Sequence, residues 1–96
     1  MRRDDVMSCI QAHREELDRF HIRSLSIFGS VARDEAREDS DVDILAEFDR
    51  PPGFLDYMDA KFALEEWLGV PVDLATRSSL KPMLRPQVER ESIRVA

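Results

Sequence analysis

The first apolar pattern along the chain has the spacing of a helix. Between residues 4 and 20, side chains suited to a core margin recur every three or four positions, at Val6, Ile10, His13, Leu17 and Phe20. This spacing places them on one helix face, and Asp4 or Asp5 is available as the N-cap. We therefore predict a helix over residues 4–20. We interpret His13 as a histidine at the core margin, because a lone histidine without a partner motif is weak evidence for a ligand or base.

After residue 23 the apolar period changes to two, which is typical of a strand. Leu25 and Ile27 alternate with serines until Gly29 ends the run, so we predict a strand over residues 24–28. Residues 30–37 suit a short helix that begins at Ser30. The mixed-charge residues 34–39 are interpreted as a solvated helix end and loop.

Residues 41–48 show the clearest alternation in the sequence. Side chains alternate across a pleated strand, so one face holds Val42, Ile44, Ala46 and Phe48 and the other holds Asp41, Asp43, Leu45 and Glu47. We therefore predict a strand with one core face and one face of carboxylates.

The second half of the chain begins with a helix breaker and then returns to helical spacing. Prolines and Gly53 interrupt the chain, and apolar residues at helical spacing predict a helix over residues 55–68, through Leu55, Met58, Phe62, Ala60, Leu64 and Trp67. Gly69 is the expected C-cap. Tyr57, Phe62 and Trp67 have the spacing of core residues, which we favour over an adenine-stacking box.

Residues 70–75 repeat the arrangement of the preceding strand. Val70, Val72 and Leu74 share one face and leave Asp73 on the other. Beyond this strand, Ser78 or Ser79 is the expected cap of a final helical segment interrupted by Pro82 and Pro86, and Ile93 and Val95 are expected at the sheet edge. Strands separated by helices predict an α/β fold with a small sheet and helices packed mainly on one face.

Three aspartates are expected on the face opposite the core. If the third strand lies beside the second, then Asp41, Asp43 and Asp73 converge. At about 4 Å and an effective dielectric of about 20, each pair would repel by about 4 kcal/mol unless it is protonated or bridged by a cation. Carboxylate oxygens of this kind suit Mg²⁺, which completes its octahedron with waters and substrate phosphates.

A glycine and a serine stand where the first strand meets the following helix. Gly29 allows close approach to the backbone, and the helix start with the Ser30 hydroxyl offers donors to a triphosphate. Taken alone, this pair is explained equally well by a capping turn.

Composition and charge narrow the classes of function. The chain has 96 residues with 14 Lys and Arg against 20 Asp and Glu, for a net charge of −6. This size predicts one domain over residues 1–96 without a second substrate-binding domain, and the acidic balance argues against direct nucleic-acid binding. Cys9 has no partner for an internal disulfide. Without a signal-peptide pattern or an apolar run long enough to span a membrane, we expect a cytoplasmic protein with no membrane association.

The combination of these motifs is more specific than any one of them. Gly29-Ser30, ten residues, Asp41-Val42-Asp43 and then Asp73 on a later strand resemble the nucleotidyltransferase superfamily typified by DNA polymerase β. The amino-acid sequences around both motifs, residues 28–33 and 40–45, are similar to those of the minimal nucleotidyltransferases, or MNT-domain proteins. The resemblance covers residues 24–75, about half of the chain, and implies a nucleotidyltransferase fold with a mixed sheet.

The resemblance also implies roles for individual residues. Gly29 and Ser30 would hold the phosphates of ATP, and Asp41 and Asp43 would bind a divalent metal, expected to be Mg²⁺. Asp73 would complete the metal site or help to deprotonate the acceptor hydroxyl. Two further motif positions, Arg33 and Ser40, are open between phosphate contact and a local role in salt bridging or capping. Glu47 shares the carboxylate face one step further on and is interpreted as solvated.

The MNT resemblance further implies a partner. In that group the domain is typically an antitoxin that transfers AMP from ATP to a tyrosine of a HEPN-family ribonuclease toxin, which predicts a protein adenylyltransferase working in a hetero-oligomer with its toxin. Two alternatives stay open: an antitoxin that masks its toxin by binding without catalysis, and a nucleotidyltransferase that acts on a small molecule or an RNA end.

Overall fold

A four-stranded mixed sheet forms the centre of the structure, a computed structural model that describes residues 1–37 and 40–96. Its strands are β1 (Ile22–Phe28), β2 (Val42–Phe48), β3 (Val72–Ala75) and β4 (Ile93–Arg94). The order is β3-β2-β1-β4, with β1 antiparallel to β2 and β4 and with β2 parallel to β3. The three predicted strands are confirmed, except that β3 begins at Val72 and leaves Val70 outside it. The predicted positions at the sheet edge are also confirmed, since Ile93 lies in β4 and the Val95 N–H bonds the Leu25 carbonyl. Residues 38 and 39, part of the predicted mixed-charge loop, lie outside the described residues.

The helical segments are unequally divided between the two faces of the sheet. They are α1 (Arg3–Ala12), a 3-10 helix (Arg14–Phe20), α2 (Gly29–Ala32), α3 (Phe54–Leu68), a 3-10 turn (Arg77–Ser79) and α4 (Arg85–Glu91). The main core joins α1 and α3 to one face, and its fully buried members include Val6, Ile10, Leu25, Ile27, Ile44 and Leu64. In the described residues, no helix is long and apolar enough to cross a membrane.

A smaller apolar cluster lies on the opposite face of the sheet. Leu45 and Ala75 pack there against Val88 of α4, with Phe28 and Leu80 at the margin. The prediction of helices mainly on one face is therefore confirmed, with α4 as the element that partly covers the carboxylate face.

The prediction of one continuous helix over residues 4–20 is wrong, because the α-helix ends before His13. The His13 ring nitrogen Nδ1 hydrogen-bonds the Cys9 carbonyl at 2.9 Å, and that carbonyl is the one a continuing helix would give to the His13 backbone N–H. The N–H bonds Ile10 instead, at 3.0 Å, and a 3-10 helix follows. The prediction of Asp4 or Asp5 as the N-cap is also wrong, because the helix begins earlier: the N-cap is Arg2, whose N–H donates to Asp5 inside the first turn.

His13 lies at the core margin, as predicted. Its ring stacks on Trp67 with centroids 4.5 Å apart and planes 13° from parallel. Phe20 meets the same indole edge to face at 6.1 Å, and the Cys9 thiol donates to the Trp67 carbonyl. These contacts fasten the end of α1 to α3.

Two predicted helices are shorter than the sequence suggested. The helix expected over residues 30–37 is α2 alone, one turn that ends where Asp34 takes a left-handed backbone conformation, at φ 59°. The tail begins with a 3-10 turn capped by Thr76 rather than by Ser78 or Ser79. Pro86 then lies in the first turn of α4, where a missing N–H costs little, so it begins this helix instead of interrupting it.

Helix α3 has the predicted length, but its apolar side chains divide differently. Gly69 ends the helix at φ 71°, as expected, and Leu64 faces the sheet. Tyr57 and Trp67 pack against the main core, as predicted, and the Tyr57 hydroxyl donates to the Leu74 carbonyl. The prediction is wrong for Leu55 and Phe62, which are 73% and 57% exposed.

This division of α3 predicts a large difference between two substitutions two residues apart. Leu64→Ala removes a fully buried side chain and should lower the free energy of unfolding by about 2–5 kcal/mol. Phe62→Ala is the matched control on the exposed face, and it should change that free energy by less than about 1 kcal/mol. Urea denaturation measures both, and equal losses would contradict the assignment of the two faces.

Candidate active site

Two of the three predicted site aspartates stand side by side on neighbouring strands. In the parallel pairing of β2 with β3, Asp43 is the register partner of Asp73. Both side chains alternate with core residues, so both project from the face opposite the main core. Asp41 is exposed and lies directly before β2. The structure thus brings Asp43 and Asp73 together and places Asp41 at the same end of the sheet.

The electrostatics of this end of the sheet raise the pKa of Asp43 to about 6. The largest cause is burial, which disfavours the charged form, followed by the negative charges of Asp73 and Asp41 and a hydrogen bond with Asp73. Arg33 acts in the opposite direction, since its positive charge favours the carboxylate. A cation or a positively charged group that binds here would therefore stabilise the ionised form of Asp43.

The carboxylate oxygens suit a divalent cation but do not supply a complete set of ligands. Among residues 1–37 and 40–96, no group of three or more His, Cys, Asp or Glu side chains is close enough together to hold a metal ion. Mg²⁺ usually takes one or two carboxylates and fills its remaining positions with waters and substrate phosphates. The adjacent oxygens of Asp43 and Asp73, which repel each other without a cation, match that requirement.

The turn between β1 and α2 lies against the same carboxylates. Gly29 has a left-handed backbone, at φ 69°, and a Cβ atom at this position would collide with Asp43 Oδ2 and lie 3.2 Å from its Cγ. Glycine suits this position for two reasons: it adopts the left-handed backbone without strain, and it leaves room for the Asp43 carboxylate, which would have to shift if a Cβ were present. Ser30 follows it, half-buried, as the second residue of α2. Any group bound at this turn would lie next to Asp43.

A pocket of about 410 Å³ opens beside the turn and the carboxylates. Gly29, Arg33 and Asp73 line one part of it, and apolar side chains of the small cluster line the rest, among them Phe28, Leu80 and Val88. Its remaining polar lining comes from Ser79 and from α4, through Gln87 and Glu91. The pocket therefore joins an apolar wall to the charged end of the sheet.

The positions left open by the sequence have local partners in the structure. Arg33 donates from Nε to Glu35 at 3.2 Å and from Nη1 to Glu91 at 2.9 Å. Ser40 Oγ accepts the backbone N–H of Arg37 at 3.0 Å and braces the loop before β2. Sequence reasoning missed Glu91, which lies 58 residues from Arg33 and belongs to no motif.

Glu47 is more than a solvated carboxylate. Its Oε1 lies 3.2 Å from Arg77 Nη2, and its side chain is partly exposed. The pair ties β2 to the 3-10 turn after β3. Glu47 therefore has its own counter-ion on the carboxylate face, away from the Asp43–Asp73 pair.

The fold and this site define a class of protein. Residues 10–95 match the nucleotidyltransferase domain family, and the chain belongs to that family, whose members use a divalent metal together with a nucleotide. Among curated relatives, the protein adenylyltransferase MntA of Thermococcus cleftensis is 43% identical over 93 residues, which cover 96% of this chain and 94% of the relative.

Solved structures agree with this assignment. One proposed to be a minimal nucleotidyltransferase is 42% identical, with a TM-score of 0.83, and the match covers 97% of this chain and 95% of that one. A chain from the complex of tri-AMPylated Shewanella oneidensis HEPN toxin with MNT antitoxin has a TM-score of 0.61 over 90% of this chain and 71% of its own. At 17% identity, that likeness shows the fold.

The raised pKa of Asp43 predicts a pH-dependent cost to stability in the metal-free protein. In the folded state the carboxyl loses its proton near pH 6 rather than near 3.8. The unfolded chain thus releases this proton first, and stability falls as pH rises between these values. Asp43→Asn removes this cost. Since the group is partly solvated, we expect the free energy of unfolding of the variant to exceed that of the unsubstituted protein by about 1 kcal/mol above pH 6. This difference corresponds to a Tm about 4–8 °C higher for the variant at about pH 7.5.

Thermal melts in a buffer with chelator, made across this pH range, measure the effect, and the Tm advantage of Asp43→Asn should shrink as the pH falls toward 4. In separate melts without chelator, Mg²⁺ should raise the Tm of the unsubstituted protein more than that of the variant. A variant that is less stable than the original at every pH would contradict this account of the site.

The collision at Gly29 predicts an effect that a second glycine controls. Gly29→Ala and Gly69→Ala both place a side chain on a left-handed backbone, at φ 69° and 71°, but nothing lies within 4 Å of a Cβ at Gly69. Both should lose about 1–2 kcal/mol of stability. We expect Gly29→Ala alone to displace Asp43 and to reduce the stabilisation by Mg²⁺, measured as a shift in Tm. An equal Mg²⁺ response in the two variants would show that the collision is relieved elsewhere.

Proposed function

We propose that residues 1–96 act as one nucleotidyltransferase domain, a Mg²⁺-dependent protein adenylyltransferase that serves as an antitoxin. The observation that carries this proposal is the pairing of Asp43 with Asp73 directly against the Gly29 turn. Two like charges in register at a partly buried position destabilise a purely structural protein. In an enzyme, the same two carboxylates can bind a metal ion that also contacts a phosphate.

The nucleotide would bind at the turn between β1 and α2. Gly29 and Ser30 would hold its phosphates, because the glycine lets the backbone approach closely and the serine adds a hydroxyl donor. The contact between Gly29 and Asp43 supports this role, since phosphates held at the turn would lie beside the metal carboxylates. ATP is the expected substrate.

Asp43 and Asp73 would hold the metal, and Asp41, at the same end of the sheet, is the third ligand that the sequence predicts. Mg²⁺, when bound, neutralises phosphate charge and lowers the pKa of an attacking hydroxyl. Asp43 loses its unfavourable repulsion in the same event, which supports a cation over a purely structural role for these residues. Asp73 would receive the proton of an acceptor that enters the pocket, and its exposed position on the pocket wall supports this role.

The reaction transfers AMP to a hydroxyl group. The acceptor oxygen forms a bond to the α-phosphorus of ATP, and the bond from that phosphorus to the bridging oxygen breaks, so that pyrophosphate leaves. The hydroxyl proton passes to Asp73 or to solvent. The chain supplies orientation for this displacement through the fixed register of β2 with β3 and the rigid turn at Gly29.

The acceptor is proposed to be a tyrosine of a HEPN-family ribonuclease toxin, with which the chain would form a hetero-oligomer. Support comes from the 43% identity to a protein named as an adenylyltransferase over nearly the whole of both chains. The fold shared with a chain from a complex of MNT antitoxin and AMPylated HEPN toxin is consistent with it. We place the reaction in the cytoplasm, where ATP is supplied, and expect no direct binding of nucleic acid.

Incubation with labelled ATP, Mg²⁺ and the cognate toxin tests this function. The unsubstituted chain should label the toxin, and Asp41→Asn with Asp43→Asn should reduce labelling by about 100-fold or more, since metal ligands matter at least as much as the groups around them. Glu47→Gln is the matched control, a carboxylate on the same strand face with its own partner in Arg77, and it should retain labelling.

Other outcomes would replace this function. Absence of toxin labelling by the unsubstituted chain, or full labelling by the double variant, contradicts it. If the double variant still suppresses toxicity in cells, the chain masks its toxin by binding. If AMP reaches a small molecule or an RNA end without a protein partner, the substrate class is different.

A further inference from the structure

A carboxylate from the far end of the chain lies in the same pocket as the Gly29 turn. Glu91, the last residue of α4, has its Oε1 2.9 Å from Arg33 Nη1 and 3.3 Å from Gln87 Nε2. Its side chain is 21% exposed. Glu91 and Gly29 line the same pocket, so a fixed negative charge stands beside the turn to which the proposed function assigns the phosphates.

The surroundings of Glu91 keep it ionised. Its pKa is lowered first by the hydrogen bond from Gln87, then by the charge and hydrogen bond of Arg33, and also by the backbone N–H of Gly29, while burial acts in the opposite direction. These are donors that an anionic oxygen requires. The Gly29 N–H is also a donor that a bound phosphate would use.

We propose that Glu91 is an internal substitute for phosphate, which pairs with Arg33 beside the Gly29 turn until a triphosphate displaces it and takes Arg33 as its counter-ion. Glu91 thereby sets the affinity for the nucleotide, in competition with it. The position of the phosphates rests on the function proposed above. The competition itself rests on the contacts of Glu91.

Arg33 is suited to exchange one anion for another. Its Nε is held by Glu35, and its Nη1 by Glu91, so release of Glu91 leaves the guanidinium oriented by the remaining carboxylate. Its charge already acts on Asp43, whose pKa it lowers. The guanidinium also lines the pocket together with Gly29 and Asp73, so it can serve a phosphate bound there, and its planar fork matches phosphate oxygens.

The exchange requires movement of a side chain rather than of a helix. Val88, three residues before Glu91, is buried in the small cluster with Leu45 and Ala75, and this contact fastens α4 to the sheet. Beyond Glu91 the chain enters β4, which pairs with β1. With the backbone held on both sides, Glu91 can leave the turn only by rotating its own side chain toward the open pocket.

Glu91 has a simpler alternative role, as a strut that fastens α4 to the Arg33 region. The two roles predict opposite effects on nucleotide affinity when the charge of Glu91 is removed. A strut makes the nucleotide site better formed, so removing its charge should weaken nucleotide binding. A competitor makes the site less available, so removing its charge should strengthen binding.

Equilibrium titration of a fluorescent, non-hydrolysable ATP analogue with Mg²⁺ distinguishes these roles. Glu91→Gln should lower the Kd by about 3–10-fold, as expected when one close like charge is removed from a partly solvated site. Glu35→Gln is the matched control, which removes an equal charge from the same arginine at a more exposed position, and its Kd should stay within about twofold. An unchanged or raised Kd for Glu91→Gln overturns the proposal.

Two further measurements keep the test decisive. In competition against the same analogue, Glu91→Gln should bind tripolyphosphate more tightly than the unsubstituted chain does, and should bind adenosine with unchanged affinity. Tighter binding of both overturns the proposal.

If Glu91→Gln folds poorly, Gln87→Ala replaces it, because this exposed residue hydrogen-bonds Glu91 and helps to hold it beside Arg33. Its loss should tighten binding by about twofold, and weaker binding contradicts the proposal.

These experiments also separate this inference from the function on which it rests. Nucleotide binding is measured without toxin and without transfer. If the unsubstituted chain fails to bind the analogue with Mg²⁺, the proposed function fails. If it binds and Glu91→Gln binds no tighter, the competition fails alone.

Discussion

The repulsion between two aspartates, held in register by parallel strands, is the constraint around which the rest of this end of the molecule is organised. Asp43 cannot retreat from Asp73, because both alternate with buried residues that fix their strands in the core. Burial and like charge make ionisation of Asp43 unfavourable. Positive charge favours the ionised form of Asp43, and the charge of Arg33 already acts in that direction. The stability of the metal-free chain and its capacity for chemistry oppose each other at one carboxyl group.

The fold was accessible from sequence wherever a local pattern decided it. Alternation over residues 41–48 and the glycine at the end of α3 both fixed an element and its boundary. The break at His13 was hidden, because it depends on a ring nitrogen taking the Cys9 carbonyl while the ring stacks on Trp67, 54 residues later by number. Helical spacing likewise places Phe62 on an apolar stripe, and it does not say which of two stripes meets the sheet.

The candidate site divides in the same way. Gly29, Asp43 and Asp73 were found because each stands at a recognisable place on a strand or turn, and pairing of the strands then brings them together. Arg33 was recognised as a motif position whose role stayed open, since one of its two carboxylate partners, Glu91, comes from α4. No spacing rule connects Glu91 to Gly29. Contacts of that kind arise from how the tail crosses the sheet, which only the tertiary structure determines.

The contact between Gly29 and Asp43 also limits how this site can change over evolutionary time. A side chain at position 29 meets the Asp43 carboxylate, so the first position is constrained by the second as well as by its own backbone. A lineage that gives up Asp43 for a smaller residue relieves the steric half of that constraint and keeps the conformational half. Position 29 should accordingly still favour glycine in such a lineage, because its left-handed backbone remains.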